Sequence, residues 1–230
     1  MTSPLPGIGA CVFDAYGTMF DVHSAVAACR ADIGPQAERL SDMWRTRQLQ
    51  YSWLRSLMGA YADFWTVTGE ALDVSMRALG LDNAALREKL MQLYLTLRAY
   101  PDVAPTLDRL RARGLRTAIL SNGNHRMLKA AIDNAGIGAK LDAVLSVEDA
   151  GIYKPDPRVY QLAVDRLGLP AHQMCFLSSN AWDAHAAAHF GFRVLWCNRT
   201  QQPREALPGK LAGEIRSLDE LPDLIQEKAA

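Results

Sequence analysis

Neither sign of charge is in excess in this chain of 230 residues: 25 Lys and Arg face 25 Asp and Glu. A nucleic-acid binder draws most of its affinity from neutralising phosphates, so the balance argues against one. It offers nothing to an acidic membrane surface either. No apolar run approaches the ~18 residues of a membrane-spanning helix. Residues 1–6 carry no basic residue ahead of an apolar stretch, so no secretory leader is expected. The four cysteines, Cys11, Cys29, Cys175 and Cys197, stand at unrelated spacings with no Cys-x-x-Cys pair. A reduced, cytoplasmic chain is the expectation. Missing too are a Gly-x-Gly-x-x-Gly phosphate loop, a Gly-x-Ser-x-Gly elbow and any haem or iron–sulfur spacing.

What is present is an ordinary globular composition, 49% hydrophobic and 22% charged, long enough for a sizeable core. Short apolar runs recur and stop abruptly at polar residues. Ala10–Phe13 stops at Asp14, Thr117–Leu120 at Ser121-Asn122-Gly123, Ala143–Leu145 at Ser146, Cys175–Leu177 at Ser178-Ser179-Asn180, and Val194–Cys197 at Asn198. Continuous rather than alternating hydrophobicity predicts strands buried on both faces, as in a parallel sheet. Helical stretches are predicted between them at about 101–113, 124–136, 156–168 and 181–190.

From Ser24 to Tyr100 no strand is predicted. Leu40, Trp44, Tyr51, Leu54 and Met58 recur at helical spacing, as do Leu86, Leu90, Leu93 and Leu97. An insertion of this length is a module of its own rather than a loop. The expected organisation is an α/β chain: a Rossmann-like parallel-sheet core at 1–20 and 101–230, with a helical cap at 21–100.

Ligands of open α/β sheets bind beyond the carboxyl ends of the strands. Those ends carry Asp14, Ser121-Asn122 and Ser178-Ser179-Asn180, with Asp183 close behind and Lys154 after the third strand. Each residue alone fits a turn or cap. Together, at successive strand ends, they point to a site. Two other clusters carry less weight. His185 and His189 have the i, i+4 spacing of a zinc pair but no third ligand, and read as helix-surface residues. Arg109, Arg111, Arg113 and Arg116 read as a solvated helix face.

The runs Asp14-Ala15-Tyr16-Gly17-Thr18, Ser121-Asn122-Gly123, Lys154-Pro155 and Ser178-Ser179-Asn180-Ala181-Trp182-Asp183 resemble the four motifs of the haloacid dehalogenase superfamily. The cap segments Trp44–Tyr51 and Tyr61–Trp65 narrow the resemblance to its L-2-haloacid dehalogenases. That resemblance implies a nucleophilic Asp14 that forms an ester with C2 of an (S)-2-haloacid, inverts the carbon and releases halide. Lys154, Ser178, Asn180 and Asp183 would serve ester hydrolysis, and Arg45 would accept the halide. Tyr16, Thr18, Leu49, Phe64, Ser121, Asn122, Tyr160 and Trp182 would contact substrate, with no metal or organic cofactor. The implied partners are a haloacid, its halide and a second copy of the chain.

The residue types suit this chemistry. A carboxylate on a turn after a strand can act as a covalent nucleophile. An adjacent lysine keeps it ionised. A guanidinium beside apolar walls, as Arg45, Leu49 and Trp53 at i, i+4 spacing predict, suits a weakly hydrated halide. The related phosphatases carry an aspartate two residues after the nucleophile and use Mg²⁺ against like-charge repulsion. Tyr16 stands at that position, which disfavours the alternative of a Mg²⁺-dependent phosphatase. A non-catalytic anion-binding protein is the other alternative. Thr46 stands where the resemblance leads one to expect glutamine, so it bears on substrate range.

Overall fold

A computed structural model describes residues 3–226. Its strands are β1 (Leu5–Pro6), β2 (Ala10–Phe13), β3 (Arg116–Ser121), β4 (Ala143–Ser146), β5 (Met174–Ser178), β6 (Arg193–Cys197), β7 (Gly213–Ile215) and β8 (Ile225–Gln226). Six of them form one parallel sheet in the order β4-β3-β2-β5-β6-β7, while β1 pairs with β8. Strand order reverses between β3 and β5 on either side of β2, the switch point at which doubly wound sheets bind ligands. Ala10 to Phe13 are fully buried, with Cys11 in register with Cys175 of β5. Each large apolar side chain buried this way contributes about 1.5–3 kcal/mol. The four cysteines are free and buried, three on sheet strands and Cys29 outside the sheet.

Helices α6 (Val103–Ala112), α7 (His125–Ala135), α8 (Pro157–Leu167) and α9 (Ala181–Phe190) flank the sheet. Local chemistry sets their ends. Asn124 accepts from Met127 N at the start of α7, and Asp156, followed by Pro157, accepts from Arg158 N at the start of α8. Gly136 and Gly168 end the same two helices in the left-handed conformation.

The inserted layer is helical throughout: α1 (Ser24–Ala28), α2 (Arg30–Ile33), α3 (Ala37–Leu57), α4 (Phe64–Ala78) and α5 (Ala84–Leu95). It leaves and rejoins the core at one place, where Asp21 N donates to Arg98 O (2.9 Å) and Tyr100 N donates to Met19 O (2.9 Å). The layer therefore stands directly beyond the end of β2.

Several expectations are corrected. The sheet has a sixth strand, β7, at its edge, and the short helix α10 (Leu221–Leu224) follows before β8. β4 is an edge strand and exposes Val144, so it is not buried on both faces. The apolar stripe of α3 divides: Leu40 and Trp44 are buried, whereas Leu54 is 52% and Met58 75% exposed, with Leu57 beside them at 84%. Arg109 and Arg111 are exposed, as a solvated face requires, but Arg113 and Arg116 are half-buried. Arg109 pairs with Asp223 and Arg113 donates to the carbonyls of Pro222 and Ile225, which fastens the C-terminal segment, while Arg116 donates to Leu167 O at the end of α8.

Candidate active site

Asp14 follows β2 directly, and its N–H still donates to Leu177 O of β5 (2.9 Å). Asp14 is 5% exposed, and its carboxylate meets three donors. Lys154 Nζ reaches Oδ1 (3.1 Å), while Thr18 Oγ1 (3.0 Å) and Asn180 Nδ2 (2.9 Å) reach Oδ2. Gly17, at φ +92°, makes the turn that brings Thr18 back to Asp14, a conformation side chains rarely adopt.

Behind the nucleophile lies a buried charge relay. Lys154 Nζ also contacts Asp183 Oδ2 (2.9 Å), and Tyr160 donates its hydroxyl to Asp183 Oδ1 (2.8 Å). Burial pulls the Lys154 ammonium down, but Asp14 and Asp183 outweigh it and hold the group above the ordinary lysine value. Burial lifts the Asp183 carboxyl, Lys154 pulls it back, and proximity to Asp14 lifts it again; the net direction is up. Burial also drives the Tyr160 phenol well above its usual range, so it stays a donor.

Neighbouring strand ends support this set. Asn122 Oδ1 accepts from Lys154 N (3.2 Å), Ser121 Oγ from Gly123 N (3.0 Å) and Ser178 Oγ from Asn180 N (3.2 Å). The cap closes the other side with Arg45, Leu49 and Trp53 of α3 and with Phe64 at the start of α4. Arg45 Nη2 donates to Asn180 Oδ1 (3.1 Å) and Tyr16 O (3.2 Å), so one asparagine amide faces both the arginine and the nucleophile. Tyr16 packs on Phe64 (5.7 Å between centroids) and lies flat against Tyr94 (5.7 Å). A Cβ on Gly123 would come within 2.6 Å of the Tyr16 ring, so only glycine admits it. Trp53 meets Trp182 edge-on at 5.3 Å. The Tyr16 hydroxyl and both indole N–H groups are buried with no acceptor among the described residues, as donors reserved for a ligand would be.

The geometry redistributes some expected contacts. Tyr160 has no exposed surface and bonds Asp183, so it supports that carboxylate instead of contacting substrate. Thr18 is likewise fully buried and serves the nucleophile. Ser178 turns to a backbone N–H in its own loop. Thr46 is exposed. Arg55 Nη2 reaches both carboxylate oxygens of Glu70. His185 is buried against Gly209 O, not on the helix surface. Among the described residues no cluster of three His, Cys, Asp or Glu could hold a metal ion. The two carboxylates at the site are instead bridged by an ammonium.

Gln48, Tyr94 and Tyr153 were not legible in the sequence. Gln48 falls in the stripe Ser41, Trp44, Gln48, Ser52, whose helical spacing marked it for burial had polar members been counted. Tyr153 adjoins Lys154 and donates its hydroxyl to Ala62 O of the cap, beside Phe64.

A buried carboxylate beyond the switch point of a parallel sheet, paired with a lysine and roofed by an inserted helical cap, defines an aspartate-centred hydrolase. The family model of haloacid dehalogenase-like hydrolases matches residues 8–191. (S)-2-haloacid dehalogenase 1 of Pseudomonas sp. (strain CBS-3) is 50% identical, covering 95% of this chain and 96% of its own. A dehalogenase crystallised with an intermediate complex superposes at a TM-score of 0.94 with 49% identity, over 96% of this chain and 98% of that one. The L-2-haloacid dehalogenase of Xanthobacter autotrophicus, crystallised with chloropropionic acid covalently bound, superposes at 0.88 with 37% identity, over 94% and 98%. The chain belongs to the haloacid dehalogenase-like hydrolases, within their (S)-2-haloacid dehalogenase branch.

Proposed function

We propose that the protein hydrolyses (S)-2-haloalkanoic acids to (R)-2-hydroxyalkanoic acids and halide. The observation that carries this reading is the Asp14 carboxylate held by Lys154, Thr18 and Asn180 opposite a guanidinium, Arg45, reached through the same asparagine. An Asp14 oxygen attacks C2 from the side opposite the carbon–halogen bond. The C–O bond forms as the C–X bond breaks, halide departs with the electron pair, and C2 inverts. Arg45 and Asn180 N–H groups meet the charge that develops on the halide. The substrate carboxylate lies near Ser121 and Asn122 and the N–H groups leading into α7. Leu49, Phe64, Tyr16 and Trp182 enclose its alkyl part.

Water then attacks the ester carbonyl carbon of Asp14. Asp183, ionised and oriented by Lys154 and Tyr160, takes the water proton. The tetrahedral intermediate breaks its bond to the hydroxy-acid oxygen, which takes up the proton of the intermediate's own hydroxyl, so the Asp14 carboxylate is restored, and Asp183 returns its proton to solvent. Neither step calls for a metal or an organic cofactor: the leaving halide needs no proton, and the lysine offsets the clustered carboxylates. In this reading residues 21–100 act as a cap over a core of 1–20 and 101–230, in a cytoplasmic homodimer. Leu54, Leu57 and Met58, exposed on one face of α3, support the dimer.

The test is halide release from (S)- and (R)-2-chloropropionate with EDTA present, beside p-nitrophenyl phosphate with Mg²⁺, and Asp14→Asn as the inactive control. Halide from the S enantiomer alone, indifferent to EDTA, is expected. Phosphate release without halide would replace this reading with the phosphatase one.

A further inference from the structure

Arg45 keeps different company from the half-buried arginines Arg55, Arg87 and Arg199. Arg55 pairs with Glu70, Arg87 with Asp73 and Arg199 with Asp102. Arg45 instead touches three neutral oxygens: Tyr16 O, Asn180 Oδ1 and Gln48 Oε1, the last at 2.8 Å from Nη1. Gln48 is 1% exposed and fully engaged. Its Nε2 donates to Thr68 Oγ1 (2.7 Å) and to Tyr94 Oη (3.0 Å). Thr68 donates in turn to Phe64 O (2.6 Å), which leaves it only an acceptor's role toward Gln48. That fixes the amide orientation: NH₂ toward Thr68, carbonyl toward Arg45. Tyr94 is locked between Trp44 (5.0 Å) and Tyr16 (5.7 Å).

We infer that Gln48 is a positioning residue for Arg45, and that its neutrality is the functional point. The inference rests on the halide-accepting reading of Arg45. A glutamate at 48 could hold the same guanidinium at the same distance, but it would cancel the charge that a departing halide needs. The amide orients without neutralising. Three cap helices supply the cradle: Gln48 from α3, Thr68 from α4 and Tyr94 from α5. The direction of the guanidinium is thus set inside the cap before any contact with the core.

The experiment compares Gln48→Glu with Gln48→Met. Bromide affinity is read by calorimetric titration without substrate, and kcat is read on (S)-2-chloro- and (S)-2-bromopropionate. Both variants lose the Nε2 donor to Thr68 and Tyr94, but glutamate alone keeps the acceptor toward Arg45, so if Gln48 matters only for holding Arg45 in place, glutamate is the milder change. The inference expects the reverse. Gln48→Glu weakens bromide binding by about tenfold or more, the scale of a full charge a few ångströms away in protein. It also slows the chloro substrate more than the bromo one, because the poorer leaving group relies more on Arg45. Gln48→Met loses less on both counts. Glutamate matching or exceeding methionine in bromide affinity overturns the inference. Wild-type protein that binds bromide but releases no halide from either substrate would instead sink the functional reading, and the bromide comparison would stand apart from it.

Discussion

At the scale of single residues, Lys154 is the group on which the buried charges balance. It is 1% exposed and touches the carboxylates of both Asp14 and Asp183. Either aspartate alone at this depth would be costly, and the ammonium between them makes the pair tenable. The two shifts have opposite consequences with pH. Lys154 is held above 10.5, so its favourable charge is present below that value and is lost only as pH rises through the folded-state pKa. Asp183 is held above 3.8, so its ionised form carries a cost at neutral pH and is given up on acidification before an ordinary aspartate would be. The ionised form is the one that accepts a proton from water; esterified Asp14 no longer repels it, but burial, the largest cause of the rise, persists, so ester hydrolysis should fade on acidification at a pH above the usual aspartate range. A single-turnover pH profile of ester breakdown measures it. An acid limb at or below 3.8 would remove Asp183 from the proton-accepting role.

Secondary-structure elements meet at shared caps. Asp63 accepts from Trp65 N (2.9 Å) at the start of α4 and also from Asn124 Nδ2 (2.9 Å), while Asn124 itself caps α7. Two helix starts, one in the cap and one in the core, are thereby joined by a single hydrogen bond beside the cleft. Asp63→Ala should cost about 1 kcal/mol from the lost cap alone, on the usual scale for such residues, read as a lower urea midpoint. An unchanged midpoint would mean that solvent replaces the cap. These elements were legible to different degrees for physical reasons. Sheet strands announce themselves because burial on both faces demands unbroken apolar runs, and the strand-end polar residues stand out against them. β7, at the far edge, is only Gly213–Ile215 and offers no such run. Asp14, Lys154, Asn180 and Asp183 were legible as a set because each follows a strand. Gln48 and Tyr94 were not, since their partners come from other helices and no spacing along one helix records them. The resemblance places Tyr160 against substrate; only packing reveals that it faces Asp183.

For the molecule as a whole, the exposed end of α3 is the surface feature that stands out. Leu54 and Met58 border a groove of about 490 Å³ whose walls include Tyr51, Val74 and Arg77, and Leu57 is exposed beside them. Under the homodimer reading this face is covered by a second copy. Leu57→Glu combined with Met58→Glu should then shift the protein from dimer to monomer in sedimentation at micromolar concentration without changing its helical signal. A monomer already in the unaltered protein, at the same concentration, would set the dimer aside.

The distribution of thiols gives the molecule a built-in timer. Cys11, Cys175 and Cys197 sit on central strands of the sheet, whereas Cys29 lies between α1 and α2 in the inserted layer. Burial pushes the Cys11 thiol up to about 12 and that of Cys197 to about 11, so neither reacts until water reaches it. A thiol-specific label should therefore report on the helical layer through Cys29 and on the sheet through Cys11 and Cys175. The rate at Cys29 follows partial release of the helical layer, and the rates at Cys11 and Cys175 follow loss of the sheet itself. Residue-resolved labelling would separate breathing of the lid from global unfolding with no introduced probe.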